Sequence, residues 1–301
     1  MTLKVLAPGL HTLVVDFGRP RTRSLGVPVG GAADRFSLAL GNALVGNPPD
    51  AAALEISLAG PTLQADGELA CVVYGAPFEV VTDRRSLTVG KTFTLQPGEE
   101  LRIGRTAEHV RAYLCVQGGF EVPLILGSRS SLDPLTAGTE LHCQPSVTST
   151  RFFLEPAWPH PPGTLRALAG PQADWFPADV LYGPSFTVTP SSNRMGLRLQ
   201  GTPLAVPPRE MVSEPVCPGT VQVTRDGQCI VLGVEGQTIG GYPKIAQVIS
   251  ADLDVVGQLR PGECIVFQQV SLEEAEDLYR QKQAVLHEWV TRLRTAAGGF
   301  S

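Results

Sequence analysis

Clustered metal ligands and disulfide patterns are both missing from this sequence. Its six cysteines include no C-x-x-C pair, and its five histidines lie far apart. A structural zinc site needs closely spaced ligands, and a disulfide framework is typical of short secreted chains. We therefore expect neither in this chain of 301 residues. Four cysteines lie in apolar, strand-like runs and are expected to be buried as small hydrophobic residues: Cys71, Cys115, Cys229 and Cys264.

The sequence also lacks the motifs of common nucleotide-binding and hydrolytic sites. It has no P-loop, no Rossmann fingerprint, no H-E-x-x-H and no hydrolase elbow, so this chain is not expected to bind ATP by itself. Its net charge of −5 argues against bulk binding to nucleic acids or anionic membranes. No apolar run approaches the roughly 20 residues of a membrane-spanning helix. No signal peptide is recognised, so we expect a cytoplasmic location.

What the chain does contain is ample material for a core, since 43% of its residues are hydrophobic and 18% are charged. Short strand-like runs alternate with glycine and proline turns at the roughly 8–12-residue spacing of all-β proteins. The fold class is therefore predicted to be mainly β, built as barrels or sandwiches with a few helices. A proline-rich segment, residues 145–162, is the best linker candidate. It separates a predicted β-rich N-terminal domain, 1–155, from a predicted C-terminal barrel domain with a C-terminal helix, 160–301.

Two helices are predicted from capping signals and apolar periodicity. The first runs from Arg35 to Val45, with Asp34 as its N-cap. The second is long and amphipathic, begins with a capping box formed by Ser271 and Glu274, and extends to about residue 294.

The stretch from Gly236 to Lys244 carries the densest group of candidate site residues. It follows one predicted strand and precedes another. Its adjacent glycines allow the backbone to take positive φ and allow a ligand or another chain to approach it closely. An ordinary turn without a ligand is the alternative. The candidates in this stretch are Gln237, Gly240, Gly241, Tyr242 and Lys244.

Polar residues elsewhere form two further groups. Arg194 lies in a predicted turn, and Gln222 is the large polar residue of an apolar strand, where a hydrogen-bonded structural amide is the alternative. An arginine-rich loop, residues 16–23, is either an anion-holding loop or a solvated charge cluster. A second cluster of candidates comprises Asp16, Arg19, Asp34 and Glu55, and further candidate carboxylates are Glu235 and Asp252.

At these positions the sequence resembles a known family, the allophanate hydrolase subunit 2 group. The group includes KipA-like proteins, the C subunit of bacterial ATP-dependent 5-oxoprolinase, and part of the biotin-dependent carboxyltransferase domain of urea carboxylase. The segments that carry the resemblance include Asp16-x-Gly18-Arg19, Gly170-Pro171-Gln172, Asn193-Arg194-Met195-Gly196, Ser213-Glu214, Gly219-Thr220-Val221-Gln222-Val223, Gln237-Thr238-x-Gly240-Gly241-Tyr242-Pro243 and Arg260-Pro261-Gly262. The sequence departs from the family at Glu235 and Ile239, where aspartate and threonine are usual.

The resemblance implies cyclophilin-like barrels and a cytoplasmic hydrolase component that opens the 5-oxoproline ring to L-glutamate or acts in a related amidolyase complex. It implies partners, namely a subunit 1 (KipI-like) homologue and a lactam-utilisation subunit, with a homo-oligomer left open. No cofactor or metal is expected to be held tightly by this chain, and ATP is used by the complex. The resemblance places the substrate-binding residues near a cleft between subunits and assigns no catalytic base: Arg194, Gln222, Gln237, Gly240, Gly241, Tyr242 and Lys244.

Two alternative functions remain open. One is a carboxyltransferase-like protein related to urea carboxylase and allophanate hydrolase. Biotin would then arrive on a separate carrier, because no Ala-Met-Lys-Met motif occurs in this chain. The other is a non-catalytic regulator that binds a kinase-inhibitor partner.

Overall fold

The computed structural model describes residues 1–154 and 158–297. Across these residues the protein is mainly β, with twenty strands and three α-helices, which confirms the predicted fold class. Among the described helices, none combines the length and the apolar character that a bilayer span requires.

Two compact units make up the chain. The first comprises Met1–Arg19, Gly30–Pro156 and Ala284–Ser301, and the second comprises Pro20–Val29 and Ala157–Gln283. The predicted domains, 1–155 and 160–301, describe a linear division and stay a prediction. The two units differ from that division, because residues 20–29 belong to the second unit and residues 284–301 to the first.

The first unit is a β-sandwich. Its strands are β1 (Thr2–Ala7), β2 (His11–Val15), β3 (Ala53–Ser57), β4 (Thr62–Ala65), β5 (Leu69–Gly75), β6 (Phe78–Thr82), β7 (Ser86–Leu87), β8 (Phe93–Leu95), β9 (Glu100–Thr106), β10 (Arg111–Val116) and β11 (Glu140–His142). They form a six-stranded sheet, β11-β1-β4-β9-β6-β7, and a five-stranded sheet, β2-β3-β10-β5-β8. Leu3 and Val5 of the first sheet and Leu54 and Ile56 of the second share one core cluster, so this core lies between the sheets.

Helix α1 (Arg35–Leu44) covers the other face of the five-stranded sheet. The Ser37 N–H donates to Asp34 Oδ1 at 2.9 Å, which confirms Asp34 as the N-cap. Leu38 of the helix packs with Tyr113 of β10 in a second apolar cluster, and both side chains are fully buried. The helix ends one residue before the predicted end at Val45.

The second unit contains a closed seven-stranded barrel. Its strands, together with a two-stranded ribbon outside the barrel, are β12 (Thr164–Ala169), β13 (Ser185–Val188), β14 (Gly196–Gln200), β15 (Glu214–Pro215), β16 (Thr220–Val223), β17 (Cys229–Leu232), β18 (Ile239–Gly240), β19 (Lys244–Val248) and β20 (Cys264–Gln269). The barrel order is β12-β19-β16-β17-β14-β13-β20, and a parallel β12–β20 pair closes it. Strands β15 and β18 form the antiparallel ribbon.

The faces of strand β20 correct one prediction. Ile265 and Phe267 are buried in the barrel core, whereas Cys264 is exposed. Successive side chains of a strand point to opposite faces, so Cys264 lies on the outer side. The predicted burial is therefore wrong for Cys264, and it is confirmed for the other three cysteines.

A short helix, α2 (Leu253–Val256), precedes β20, and a long one, α3 (Leu272–Ala297), follows it. The Glu274 N–H donates to Ser271 Oγ at 3.1 Å, which confirms the predicted start of the long helix. Within the second unit, Ala275 packs in a small apolar cluster. Within the first unit, the Trp289 ring lies 4.7 Å from the ring of Phe153.

Candidate functional site

The candidate loop, residues 233–243, lies between β17 and β19 of the second unit. Its middle section is β18, which pairs with β15 so that Gly240 lies opposite Glu214. Its end leads into β19, where Lys244 lies opposite Gln222 of β16. The register therefore brings residues from three separate parts of the sequence to one place on the barrel wall.

Gln222 points to the outside of the barrel and is covered there by the loop. Its neighbours Val221 and Val223 belong to the barrel core, so the alternation of side chains directs Gln222 outward. It is nevertheless only 1% exposed. A Cβ atom at position 240 would come within 2.4 Å of Gln222 Nε2, so a side chain there would have to displace this amide.

The two glycines of the pair do not use the positive φ that glycine allows. Neither Gly240 nor Gly241 lies in the left-handed region. Gly240 belongs to an antiparallel ribbon, and strands have negative φ. Close packing against Gln222, rather than turn geometry, favours glycine at position 240.

The hydrogen bonding of Gln222 is incomplete. Its Oε1 accepts a hydrogen bond of 3.3 Å from Gln237 Nε2. Its own Nε2 has no partner among the described residues. A buried donor without a partner costs about 1–3 kcal/mol. A water or a ligand oxygen would satisfy this donor.

Lys244 is held in a polar network on the same wall. It is 7% exposed, and its Nζ forms an ion pair with the half-exposed carboxylate of Glu214. The hydrogen bond from Lys244 lowers the pKa of Glu214, which keeps this carboxylate ionised at neutral pH. The Lys244 N–H donates to Gln172 Oε1 at 3.1 Å, and Gln172 Nε2 lies 3.5 Å from Glu214 Oε2.

Arg194 contacts the start of the loop. Its Nε donates to Glu235 Oε1 at 2.6 Å, and the Glu235 N–H donates to the Arg194 carbonyl at 3.1 Å. Arg194 is 6% exposed, so this pair is largely shielded from solvent. Arg194 thus braces the loop, whereas Gln237 is exposed and Tyr242 is half-buried.

Glu214 and Gln172 also belong to this site, and no pattern of neighbouring residues in the sequence predicts them. They lie 30 and 72 residues before Lys244 in the chain. Both occur in segments that carry the family resemblance, and that was the one signal available for them. The strand pairing that brings Glu214 to the loop involves only two residues on each side.

Asp16 and Arg19, of the second predicted cluster, lie in the first unit and hold the loop at residues 128–130. Asp16 Oδ1 accepts hydrogen bonds of 2.6 Å from the hydroxyls of Ser128 and Ser130. Burial raises the pKa of Asp16. The hydrogen bonds from the two hydroxyls and from two backbone N–H groups together lower it by more, so the pKa lies below its usual value. Arg19 donates to the Ser130 carbonyl at 2.5 Å. Both side chains therefore bind protein groups.

Glu55 and Asp34, the other two members, meet at Tyr113. Tyr113 Oη donates to Glu55 Oε2 at 2.8 Å and accepts from the Asp34 N–H at 2.8 Å. The Glu55 carboxylate also accepts from the Ala33 N–H at 2.8 Å and from Arg111 Nε at 3.2 Å. Burial and the charges of Glu55 and Asp34 raise the pKa of Tyr113 well above its usual value. The contacts of this network are those of a structural core.

Other candidate groups are also tied into the fold. Asp252 is fully buried and accepts from Arg166 Nη2 at 2.5 Å and from Arg166 Nε at 3.1 Å. Burial raises the pKa of Cys229 to about 12, so its thiol is not a nucleophile at neutral pH. Across residues 1–154 and 158–297, no three side chains of His, Cys, Asp or Glu come together as a metal site.

Comparisons with known proteins identify the family. The model of the carboxyltransferase domain, subdomains A and B, matches residues 25–269. The C subunit of 5-oxoprolinase from Haemophilus influenzae is 35% identical over 91% of this chain and 93% of that protein. The corresponding C subunit from Escherichia coli is also 35% identical, over 97% of this chain and 98% of that protein.

A solved structure agrees with these matches. The urea amidolyase of K. lactis superposes with a TM-score of 0.86 and 28% identity over 96% of this chain, which spans only 20% of that larger protein. The chain therefore belongs to the carboxyltransferase subdomain A and B family, alongside the C subunits of bacterial 5-oxoprolinases.

Proposed function

We propose that this chain is the C subunit of a 5-oxoprolinase-type complex, which opens 5-oxoproline to L-glutamate with consumption of ATP. One observation carries the proposal: the 35% identity to the 5-oxoprolinase C subunit of Escherichia coli extends over 97% of this chain and 98% of that protein. The name of that relative indicates an enzyme of several subunits. The activity is therefore proposed for the assembled complex and not for this chain alone.

The candidate loop supplies groups suited to a small lactam that bears a carboxylate. Gln222 Nε2 is a buried donor without a partner among the described residues, which suits the carbonyl oxygen of an amide. Lys244 suits the substrate carboxylate, which would exchange with the half-exposed Glu214. Donors that are already fixed in place stabilise developing negative charge without the cost of reorganisation. Gln237 and Tyr242 complete the proposed substrate-binding set, with Arg194 bracing the loop.

The remaining parts of the proposal concern partners and cofactors. The partners are a subunit 1 (KipI-like) homologue and a lactam-utilisation subunit, located in the cytoplasm. ATP is consumed by the complex, and this chain holds no tight cofactor. Ile239 in the loop and Met195 beside it are 58% and 56% exposed, and exposed large apolar side chains beside a polar site support a partner surface there.

The test is reconstitution with the two partner subunits and measurement of glutamate formed from 5-oxoproline with and without ATP. We expect glutamate only when this chain, both partners and ATP are all present. Tyr242→Phe and Lys244→Ala should lower turnover without unfolding the chain. ATP-dependent glutamate formation without this chain, or none in the complete mixture, would refute the proposal.

A carboxyltransferase is the second candidate, because the fold matches the urea amidolyase of K. lactis with a TM-score of 0.86. In that case the complex transfers a carboxyl group from carboxybiotin on a separate carrier protein to an amide or urea acceptor. Incubation with a carboxybiotinylated carrier and ¹⁴C label separates the two functions. Label that moves to an acceptor favours the carboxyltransferase, and label that stays on the carrier excludes it.

A further inference from the structure

A polar cleft of about 440 Å³ opens at one side of the sandwich in the first unit. It lies where β7, at the edge of the six-stranded sheet, approaches β8, at the edge of the five-stranded sheet. Residues Thr148 and Thr150 complete its wall. The volume falls within the roughly 300–1,000 Å³ of small-molecule sites. The cleft shares no residue with the candidate loop in the second unit.

The lining of the cleft is cationic. Arg84, Arg85 and Lys91 line it, against a single carboxylate, that of Glu99. Arg85 donates to the Thr94 carbonyl at 2.9 Å. Within the described residues, Arg84 and Lys91 have no ion-pair partner. Arginine and lysine side chains with open donors bind carboxylates strongly, so the cleft suits an anion.

Glu99 adds a second feature that a ligand of this cleft must match. It is 1% exposed, and its Oε2 accepts a hydrogen bond of 2.8 Å from the Gln96 N–H. Its Oε1 has no partner among the described residues. A buried carboxylate oxygen without a partner is costly, and an ammonium group would satisfy both its charge and its acceptor. The cleft thus offers several cations at its wall and one unsatisfied anion.

We propose that this cleft binds an acidic α-amino acid, a small zwitterion with two carboxylates and one ammonium. Arg84, Arg85 and Lys91 bind the carboxylates, and Glu99 Oε1 accepts from the ammonium. Because that oxygen is occluded from solvent, neighbouring side chains must change rotamer on binding, as is common at binding sites. The inference does not rest on the proposed function. If both hold, the product of the proposed reaction belongs to the class that this cleft binds.

The test is isothermal titration calorimetry on the full chain without partners or ATP, using L-glutamate and glutarate as probes. The two molecules have the same carbon chain and both carboxylates, and glutarate lacks only the ammonium. We expect one glutamate per chain, bound at least tenfold more tightly than glutarate. Absence of glutamate binding, or equal affinity for the two probes, would overturn the proposal.

Variants then locate the site. Glu99→Gln can keep an acceptor towards Gln96 while placing an amide N–H towards the ligand, so it should abolish the preference for glutamate over glutarate. Arg84→Ala and Lys91→Ala should each weaken both probes at least fivefold. Arg102→Ala is the matched control, because Arg102 is exposed and outside the cleft. Thermal unfolding of each variant checks that it folds. A folded Glu99→Gln protein that keeps the preference, or equal weakening by Arg102→Ala, contradicts the assignment.

Discussion

The side-chain amide of Gln222 lies so close to Gly240 that a side chain at position 240 would have to displace it. A Cβ atom there would be 2.4 Å from Gln222 Nε2 and 2.7 Å from Gln237 Nε2. Since Gly240 does not have positive φ, the contact itself explains the glycine. It fixes the loop against the barrel wall and holds both amides beside each other.

Gly240→Ala tests this relationship. The new methyl group should displace the amides of Gln222 and Gln237, which are the ends of flexible side chains, so we expect a loss of stability of about 1–3 kcal/mol. We also expect a drop of at least tenfold in 5-oxoproline turnover by the reconstituted complex. Urea unfolding and the coupled assay measure the two effects.

Gly241→Ala is the matched control for that variant. A Cβ atom at position 241 would have only Ser213 Oγ near it, at 3.3 Å, and Gly241 is exposed. Stability and turnover should therefore stay close to wild type. Equal effects of the two substitutions would show that the Gln222 contact has no special role.

The features of the fold and of the site that are contiguous in sequence are those that sequence patterns could predict. The loop between two strands, the Asp34 cap and the long C-terminal helix depend on neighbouring residues and turn signals. Glu214 and Lys244 lie 30 residues apart in the chain, and the pairing of the two-residue strands β15 and β18 brings them together. No local signal in the sequence predicts this pair.

The face of a strand is another property that an apolar run does not determine. Cys264 lies in such a run, yet it occupies the exposed face of β20. The same limit applies to Tyr113, which joins Glu55 and Asp34 through pairings 58 and 79 residues apart. Sequence patterns identified both carboxylates but not the phenol that connects them.

Tyr113→Phe tests whether this network is structural. The substitution removes one hydrogen bond to the buried Glu55 carboxylate and leaves the buried Asp34 N–H without its acceptor. We expect a loss of about 1–3 kcal/mol in the free energy of unfolding. Urea unfolding measures it, and Tyr279→Phe, at a site that is 45% exposed, should change stability by less than about 0.5 kcal/mol. A neutral Tyr113→Phe would mean that water replaces the hydroxyl.

The Asp252 carboxylate should make stability depend on acid pH. Burial raises its pKa, but hydrogen bonds from His160 and Arg166 lower it more, so the folded-state pKa lies below the ordinary 3.8. A group whose pKa is lowered by folding stabilises the folded state at pH values above its pKa in the unfolded chain. That stabilisation is lost as the pH falls through its pKa in the folded state. We expect the free energy of unfolding to decrease as pH drops below about 4, and to decrease less steeply in Asp252→Asn. Identical slopes in the two proteins would contradict this role for Asp252.

Replacement of Gln222 is the most direct test, because its effects on function and on stability are expected to differ. Gln222→Leu removes a buried donor that has no partner among the described residues, so stability should stay equal or increase, while turnover of 5-oxoproline in the reconstituted complex should fall at least tenfold. Thermal unfolding and ATP-dependent glutamate formation are measured on the same preparation. Full turnover by Gln222→Leu, or parallel losses of stability and turnover, would contradict a substrate-binding role for this loop.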